Sequence, residues 1–240
     1  MNQTITPVRT CIILAGGFGT RLQTVVSDLP KVLAPVAGKP FLTYVFNYLL
    51  QNNITHVVLA VGYKSEAVQA FAADWQNKLT ITISHETSPL GTGGAIKKAC
   101  EFVQDELVLV INGDTFFPIS LKELAIQHQS KSPNDLSIAL KPLTNFDRYG
   151  VVETNADHQI TAFKEKQYTA SGAINGGTYL IRKAIFNEYL FPEKFSFEKD
   201  FLETHLHLLH FHGFGFSDYF IDIGIPEDYQ LANEMLPRFS

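Results

Sequence analysis

A glycine-rich segment near the start of the chain carries residues that are suited to binding a phosphate chain. It reads Leu14-Ala15-Gly16-Gly17-Phe18-Gly19-Thr20-Arg21-Leu22, and Pro30-Lys31 follows it. Glycine has no Cβ, so the backbone N–H groups of such a turn can approach phosphate oxygens closely. The guanidinium of Arg21 and the ammonium of Lys31 supply the positive charge that a triphosphate requires. The spacing is not that of a dinucleotide fingerprint, and the sequence contains no G-x-x-x-x-G-K-[ST].

A carboxylate precedes a second glycine-rich segment. Glu86 begins the stretch Glu86-Thr87-Ser88-Pro89-Leu90-Gly91-Thr92-Gly93-Gly94-Ala95. A carboxylate only accepts hydrogen bonds, and guanine presents two adjacent donors, N1–H and the N2 amine. A uracil-type edge presents both a donor and acceptors, which suit an amide such as glutamine better. Glu86 therefore favours guanine as the base that this segment would bind, although a surface glutamate before a turn is the simpler alternative.

Two aspartates lie at the ends of apolar runs. Asp114 follows the run 107–112 and Gly113, and Asp222 follows Ile221 and precedes a Gly-x-Pro turn. Protein-bound Mg²⁺ usually keeps several waters and takes only one or two carboxylates. Asp114 and Asp222 are therefore candidate ligands of Mg²⁺, with a structural turn or cap residue as the alternative for each.

The elements that must position these residues alternate between strand and helix in the first half of the chain. Continuous apolar runs there predict strands buried on both faces, over 11–15, 56–62 and 107–112, and a further strand is predicted over 80–84. Helical patterns lie between them, over 42–51, 65–75 and 93–102. This alternation predicts a three-layer α/β/α fold with a mainly parallel, doubly wound, Rossmann-like sheet. Ligands bind at the carboxyl ends of the strands in such sheets, where the first glycine-rich segment and Asp114 both fall.

The second half of the chain is more mixed. Strands are predicted there, partly antiparallel, over 135–141, 150–154, 160–164 and 174–181. Helices are predicted over 197–208 and 227–235. The sequence shows no repeat and no convincing linker. We therefore expect a single domain over 1–240, in which 1–115 mainly binds a nucleotide and 116–240 mainly binds the second substrate.

Composition excludes several classes of function. The formal net charge of −5 argues against generic binding to nucleic acid or to an anionic membrane surface. No apolar run approaches the length of a membrane span, and no basic-then-apolar signal region occurs at the N-terminus. Cys11 and Cys100 are the only cysteines, and their spacing is not that of a metal site. We expect a cytoplasmic protein with reduced thiols, and the sequence leaves a homo-oligomer open.

Together these motifs resemble those of the sugar-phosphate nucleotidylyltransferases, whose signature is L-A-G-G-x-G-T-R-L followed by P-K. The resemblance extends along nearly the whole chain. Further matching segments are Arg148-Tyr149-Gly150-Val151-Val152, Phe163-Lys164-Glu165-Lys166, Asn175-Gly176-Gly177-Thr178-Tyr179, Phe195-Ser196-Phe197-Glu198-Lys199-Asp200 and Tyr219-Phe220-Ile221-Asp222-Ile223-Gly224-Ile225-Pro226. The resemblance implies the fold of the nucleotide-diphospho-sugar transferases. It also implies Mg²⁺-dependent transfer of a nucleotidyl group from a nucleoside triphosphate to a sugar 1-phosphate, with release of pyrophosphate.

The resemblance also implies roles for individual residues. Nucleotide binding falls to Leu14, Ala15, Gly16, Gly17, Gly19, Thr20, Arg21, Lys31, Glu86, Pro89, Gly91, Thr92 and Asp114. Arg21, Lys31 and Asp114 would be catalytic, with Arg21 clamping the triphosphate and Lys31 holding the α-phosphate. The sugar phosphate would be bound by Gly150, Glu165, Lys166 and Asn175, and the metal by Asp114 and Asp222. The family's usual proline after Glu165-Lys166 is replaced here by Gln167.

The resemblance ranks the substrates. Glu86, Asn112-Gly113-Asp114 and the segment 195–200 most resemble the members that transfer GMP from GTP to D-glycero-α-D-manno-heptose 1-phosphate for surface glycans. Alternatives are guanylyl transfer to mannose 1-phosphate, uridylyl transfer to N-acetylmuramate 1-phosphate and thymidylyl transfer to glucose 1-phosphate. A non-catalytic subunit that binds sugar nucleotides is a further alternative. Such a subunit would be expected to lose the charged residues of the signature, and this chain keeps them.

Overall fold

The computed structural model describes residues 6–17, 29–62 and 64–239. Gly19, Thr20 and Arg21 lie outside the described residues, and the roles expected of them stay predictions.

A seven-stranded sheet forms the centre of the described structure. In chain order its strands are β1 (Thr10–Leu14), β2 (His56–Val61), β3 (Thr80–His85), β4 (Leu107–Asn112), β5 (Leu136–Phe146), β6 (Thr169–Arg182) and β7 (Phe211–Gly215). Their order across the sheet is β3-β2-β1-β4-β6-β5-β7. Neighbouring strands are parallel except where β6 pairs with β4 and β5, so β6 runs against the other strands of this sheet. The prediction of a mainly parallel α/β sheet is confirmed.

Helices and short strands connect the strands of the sheet. The helices are α1 (Phe41–Gln51), α2 (Ser65–Ala73), α3 (Gly91–Ala99), α4 (Leu121–Ser130), α5 (Ile185–Glu188), α6 (Pro226–Met235) and a π-helix (Phe197–Glu203). Single 3₁₀ turns cover Lys31–Leu33, Cys100–Phe102 and Leu236–Phe239. Short antiparallel strand pairs join Pro35–Val36 to Lys39–Pro40, Thr115–Phe116 to Ile221–Asp222, and Val152–Thr154 to Ile160–Phe163. None of the helices in the described ranges has the length and apolar content needed to cross a membrane.

Both faces of the sheet are covered, which explains the continuous apolar runs. Successive side chains of a strand point to opposite faces. Accordingly, Cys11 and Ile13 of β1 pack into one hydrophobic cluster with residues of α1 and α4, whereas Ile12 packs into the other. That second cluster includes residues of α3 and of the π-helix. The three layers follow from this burial on two sides.

The second half of the chain differs from prediction in several boundaries. The strand predicted over 174–181 begins at Thr169, and that predicted over 135–141 continues to Phe146, because β5 and β6 pair along this extension from Thr169↔Phe146 onward. The helix predicted over 197–208 is a π-helix that ends at Glu203. Helix α4 and strand β7 were not predicted. Strands from both halves of the chain share the sheet, since β4 pairs with both β1 and β6.

A buried histidine in α4 makes the stability of the fold depend on pH. His128 is 6% exposed. Its Nδ1 atom lies 2.8 Å from Ser137 Oγ and 3.1 Å from the donor Nδ2 of Asn134, so Nδ1 acts as an acceptor in a neutral ring. Burial, reinforced by His212, lowers the pKa of His128 to about 4. As the pH falls, His128 of the unfolded chain is protonated near pH 6.5, whereas His128 of the folded protein is protonated only at lower pH.

We therefore expect stability to be retained above about pH 6.5 and to fall as the pH drops from there towards 4. The loss from this one group should be on the order of 2–3 kcal/mol by about pH 4.5. Urea unfolding at about pH 7.5 and 4.5 measures it, with His128→Gln as the comparison. The variant should be less stable at neutral pH but lose less on acidification. An equal loss in both proteins would contradict the assignment.

Candidate active site

The first cavity lies at the carboxyl ends of β1, β2 and β3. It has a volume of about 390 Å³ and is lined by Leu14, Gly16, Gly17, Gly62, Glu86, Thr87, Ser88, Pro89, Gly91, Thr92 and Ala95. Most of the described residues for which nucleotide binding was predicted are therefore brought to one place. Ala15 is buried just beside them and donates its backbone N–H to Ala60 O at 2.8 Å, which joins β1 to β2. This is the edge of a parallel sheet at which ligands bind.

The carboxylate of Glu86 is fixed in the wall of the first cavity. Its Oε2 atom accepts a hydrogen bond of 3.0 Å from the backbone N–H of Leu90, and its own N–H donates to Val61 O at 2.8 Å. A Cβ on Gly16 would lie only 2.7 Å from Oε1 of Glu86, so a glycine is needed there for the carboxylate to fit. An ionised carboxylate has about four acceptor positions, so the bond from Leu90 leaves capacity for further donors.

The glycines of the second segment pack against protein rather than only against a ligand. The helix was predicted to begin at Gly93, whereas α3 begins at Gly91, and residues 193–195 lie directly against its first turn. The N–H of Gly93 donates to Phe195 O, and the N–H of Phe195 donates to Leu90 O, both at 3.0 Å. A Cβ on Gly93 would overlap the ring of Phe195. The close approach of these two segments therefore depends on the absence of side chains.

Replacing Gly93 by Ala should destabilise the fold by about 1–3 kcal/mol, because the added methyl group forces the ring of Phe195 out of its site. Chemical denaturation followed by circular dichroism measures the change. Gly17→Ala is the matched control, since a Cβ at Gly17 would meet nothing within 4 Å. That variant should stay within about 0.5 kcal/mol of the parent. Equal stability of the two variants would show that Phe195 does not constrain α3.

Thr92 connects the first cavity to the π-helix. It lines the cavity, and its Oγ1 accepts a hydrogen bond of 2.9 Å from the backbone N–H of Phe197, the first residue of that helix. Thr92, which was predicted to bind the nucleotide, therefore also fixes the start of the π-helix in the second half of the chain.

Lys31, Asp114 and Asp222 meet beside the sheet although they are far apart in sequence. Asp114 follows β4, and Asp222 reaches it because the short strand Ile221–Asp222 pairs with Thr115–Phe116. The Nζ atom of Lys31 lies 2.6 Å from Asp114 Oδ2 and 3.6 Å from Asp222 Oδ1. Burial, followed by repulsion from Asp114, raises the pKa of Asp222, and Lys31 opposes that rise. The two carboxylates therefore form one negative centre, which a cation already approaches.

The second cavity adjoins this carboxylate pair, because Asp222 forms part of its wall. Its volume is about 260 Å³, and its lining residues are Asn112, Thr115, Tyr149, Gly150, Val151, Val152, Phe163, Lys164, Glu165, Lys166, Asn175, Gly177, Glu198, Lys199, Leu202, Glu203, Phe220 and Asp222. All four residues predicted to bind the sugar phosphate are in this set.

A bulge in β6 positions Asn175. The pairing of β6 with β5 shifts register between Asn175 and Tyr179, and Gly177 takes the positive φ of +69° within that bulge. Asn175 Nδ2 donates to the hydroxyl of Tyr179 at 2.9 Å, and its Oδ1 accepts from the N–H of Gly177 at 3.0 Å. A Cβ on Gly177 would lie 2.7 Å from Asn112 Nδ2, so glycine serves both the backbone conformation and the packing there.

Gly150 brings the segment that carries Glu165 and Lys166 to the cavity. A Cβ on Gly150 would overlap Lys164 O, and the N–H of Lys164 donates to Val151 O at 2.8 Å. The two chain segments can lie this close only with glycine at position 150. Glu165 and Lys166 are exposed and follow directly, so their side chains are available to a ligand in the cavity.

Comparison with known proteins identifies the family. The profile of the nucleotidyl transferase family matches residues 10–238. The chain belongs to this family. This nucleotidyl transferase is 48% identical over 228 residues to the D-glycero-alpha-D-manno-heptose 1-phosphate guanylyltransferase of Aneurinibacillus thermoaerophilus. The match covers 95% of this chain and 98% of the relative. It is 46% identical over 218 residues to the protein of the same name from Campylobacter jejuni, with 91% and 96% covered.

A solved structure gives the same picture. The crystal structure of HddC from Yersinia pseudotuberculosis complexed with GMP-PN superimposes with a TM-score of 0.83 at 37% identity. The match covers 95% of this nucleotidyl transferase and 99% of HddC. The α/β fold inferred from the sequence is therefore that of a nucleotidyl transferase.

The residues around Asp114 and Asp222 fit a divalent cation. Nucleotidyl transferases of this family generally use a divalent metal ion. Both donors are hard carboxylate oxygens, and the ammonium of Lys31 lies against both of them, which shows that this position favours positive charge. Within the described ranges, no third His, Cys, Asp or Glu joins a metal-binding group. Two carboxylates are within the one or two that Mg²⁺ usually takes when substrate phosphates and water complete its coordination.

Sequence reasoning missed one wall of the second cavity in this nucleotidyl transferase. It is lined by Glu198, Lys199, Leu202 and Glu203 of the π-helix, and none of them was predicted to bind a substrate. The segment 195–200 had been matched to a family pattern, and its charges were the available signal. Their common direction could not be foreseen because it depends on π-helical rather than α-helical geometry.

Proposed function

We propose that this nucleotidyl transferase transfers GMP from GTP to D-glycero-α-D-manno-heptose 1-phosphate, which yields GDP-heptose and pyrophosphate. The observation that carries this proposal is the identity of 46–48% to two relatives that bear this activity in their names, each matched over more than nine-tenths of both chains. Guanylyl transfer to mannose 1-phosphate is the second candidate, because a mannose-1-phosphate guanylyltransferase of Mycobacterium tuberculosis is 30% identical, although this chain spans only 64% of its length.

The choice of guanine rests on Glu86. Its carboxylate faces the first cavity, is fixed there by the N–H of Leu90, and can accept hydrogen bonds from N1–H and the N2 amine of guanine. The complex of HddC with GMP-PN, a guanine nucleotide by its name, supports this choice. Uracil or thymine would place an acceptor against the same carboxylate.

The sugar phosphate would lie in the second cavity. Lys166 would pair with its phosphate, Glu165 and Asn175 would accept or donate hydrogen bonds to ring hydroxyls, and Gly150 would allow the backbone to approach the sugar. Asp222 lies in the wall of this cavity and beside Asp114. In this arrangement the phosphate of the acceptor would lie next to the phosphates of the nucleotide.

The chemistry we propose is direct substitution at phosphorus. An oxygen of the sugar 1-phosphate attacks the α-phosphorus, a new P–O bond forms, and the bond to the β-phosphate oxygen breaks as pyrophosphate leaves. The attacking phosphate is already ionised, so no side chain has to remove a proton. Arg21, Lys31 and Lys166 hold the phosphates in line and offset their charge. Asp114 and Asp222 would hold Mg²⁺, which neutralises charge on phosphate oxygens when bound. We place the reaction in the cytoplasm, where nucleoside triphosphates are made.

A grid of substrates tests the proposal. Pyrophosphate release is measured with Mg²⁺ for GTP, ATP, CTP, UTP and dTTP. Each is paired with the α-1-phosphate of D-glycero-D-manno-heptose, mannose 1-phosphate, glucose 1-phosphate and N-acetylmuramate 1-phosphate. The highest kcat/KM should belong to GTP with the heptose phosphate. Turnover only with UTP or dTTP would contradict the role of Glu86, and a preference for mannose 1-phosphate would favour the second candidate. No turnover with any pair would favour a non-catalytic binding subunit.

A further inference from the structure

The π-helix directs two carboxylates to the same side. Glu198 and Glu203 are five residues apart, which is the spacing of the i→i+5 hydrogen bonds of a π-helix, so they lie one turn apart. Both line the second cavity, and solvent reaches both. The opposite side of the helix is anchored, since Phe197 and Phe201 are buried and stack with ring centroids 5.1 Å apart.

Within the described part of the chain, neither carboxylate joins an ion pair. Like charges one helical turn apart repel. Protein atoms crowd the carboxylate of Glu198 and raise its pKa, Glu203 adds to the rise, and Lys166 opposes it. A local arrangement that costs stability is expected where function requires it.

The π-helix packs against the residue that positions Asn175, for which we propose a hydrogen bond to a ring hydroxyl of the sugar. The ring of Phe197 packs edge-on against the buried ring of Tyr179, with centroids 5.1 Å apart. The hydroxyl of Tyr179 accepts the hydrogen bond from Asn175. Glu198 and Glu203 are therefore held at a set position relative to Asn175, and all three line the same cavity.

We propose that Glu198 and Glu203 bind the exocyclic hydroxyl groups of the acceptor and so select a seven-carbon sugar phosphate over a hexose phosphate. This inference rests on the proposed function. A heptose phosphate carries two hydroxyls on its exocyclic chain, whereas a hexose phosphate carries one. Carboxylates accept hydrogen bonds from hydroxyls without offering any donor in return. A site built to bind a hydroxyl discriminates against the analogue that lacks it, because the site's polar group is left unpaired.

The test compares two acceptors in three variants of the full chain. Glu198→Gln and Glu203→Gln keep the size of the side chain and remove its charge. Glu101→Gln is the matched control, because Glu101 is exposed on the turn Cys100–Phe102 and lines neither cavity. GTP-dependent pyrophosphate release is measured with the heptose 1-phosphate and with mannose 1-phosphate. The ratio of the two kcat/KM values should fall about tenfold or more in the π-helix variants, through a higher KM for the heptose phosphate.

The KM for GTP should not change in either π-helix variant, and the control should match the parent in every value. An unchanged ratio of the two kcat/KM values would overturn the proposal. An equal loss of kcat/KM with both acceptors would also overturn it, because the carboxylates would then bind a hydroxyl that both sugars share. Failure of the proposed function is seen separately. In that case the parent protein itself would not use GTP with the heptose phosphate, before any variant is compared.

Discussion

Replacing Asp114 by Asn should reduce turnover on the order of a hundredfold and shift the Mg²⁺ dependence to higher concentrations. The substitution keeps the shape of the side chain but removes one of the two charges that meet at Lys31. Asp222 would then be the only described carboxylate there, and a divalent ion would lose half of the negative charge that the protein offers it. The measurement is pyrophosphate release titrated with Mg²⁺ at saturating nucleotide and acceptor.

Asp74→Asn provides the control for this prediction. Asp74 follows α2, is exposed, and lines neither cavity. The Asp74→Asn substitution removes the same charge from the protein without touching the carboxylate pair. The Mg²⁺ titration of this variant should overlay that of the parent. If Asp114→Asn gave the parent's curve as well, Asp114 would not be a metal ligand.

Replacing Lys31 by Met should also lower kcat by on the order of 10²–10³-fold, but with a different signature. The side chain of Lys31 is only 14% exposed and lies within 3.6 Å of both carboxylates. Its ammonium is therefore placed where nucleotide phosphates and metal would meet. Methionine fills similar volume without charge, so it removes stabilisation of the phosphates while retaining the packing of the stem. The Mg²⁺ requirement of the variant should change far less than its kcat.

The thermal midpoint and the kinetics of Lys31→Met are measured together. Loss of the ammonium leaves Asp114 and Asp222 facing each other, and the pKa of Asp222, already raised, should rise further. A folded variant with the parent's kcat would remove Lys31 from the catalytic set. Lys122→Met is the control, because Lys122 is exposed on α4 and lines neither cavity, and it tests whether loss of any lysine charge has this effect.

The strands of the first half could be predicted closely because parallel strands covered on both faces must be apolar throughout. The prediction for 107–112 matches β4 at both ends, and that for 56–62 exceeds β2 by one residue. Helix α4 was missed because its segment is largely polar, yet it carried a usable signal. Ser120 Oγ accepts from the N–H of Glu123 at 3.2 Å, which is half of a capping box.

Strand β7 could not be predicted from its composition, because two of its five residues are glycines. Glycine weakens a strand in isolation, but a Cβ on Gly213 would lie 2.6 Å from Leu140 Cδ1 of the neighbouring strand. Tertiary packing therefore requires the residue that local propensity disfavours. Packing also requires glycine at Gly93, which was predicted to begin a helix, and at Gly150, which was predicted to bind the sugar phosphate.

The residues of the candidate site were predictable one by one, whereas their grouping was not. Motifs singled out Glu86, Lys166 and Asn175, which line the two cavities, and Asp114, which lies against Lys31 beside Asp222. The approach of Asp222 to Asp114 depends on a two-residue strand pair that no periodicity reveals.

The seating of Phe195 on the glycines of α3 has a consequence for protein engineering. A chimera that takes residues 193–197 from a relative must keep a side chain that packs on the surface formed by Gly91, Gly93 and Gly94. Without it, the two segments will not pack together. Residues 91–94 and 193–197 therefore form one exchangeable unit, although about a hundred positions separate them in the chain. Libraries that diversify one segment while holding the other constant would lose this contact, whereas paired diversification would retain it.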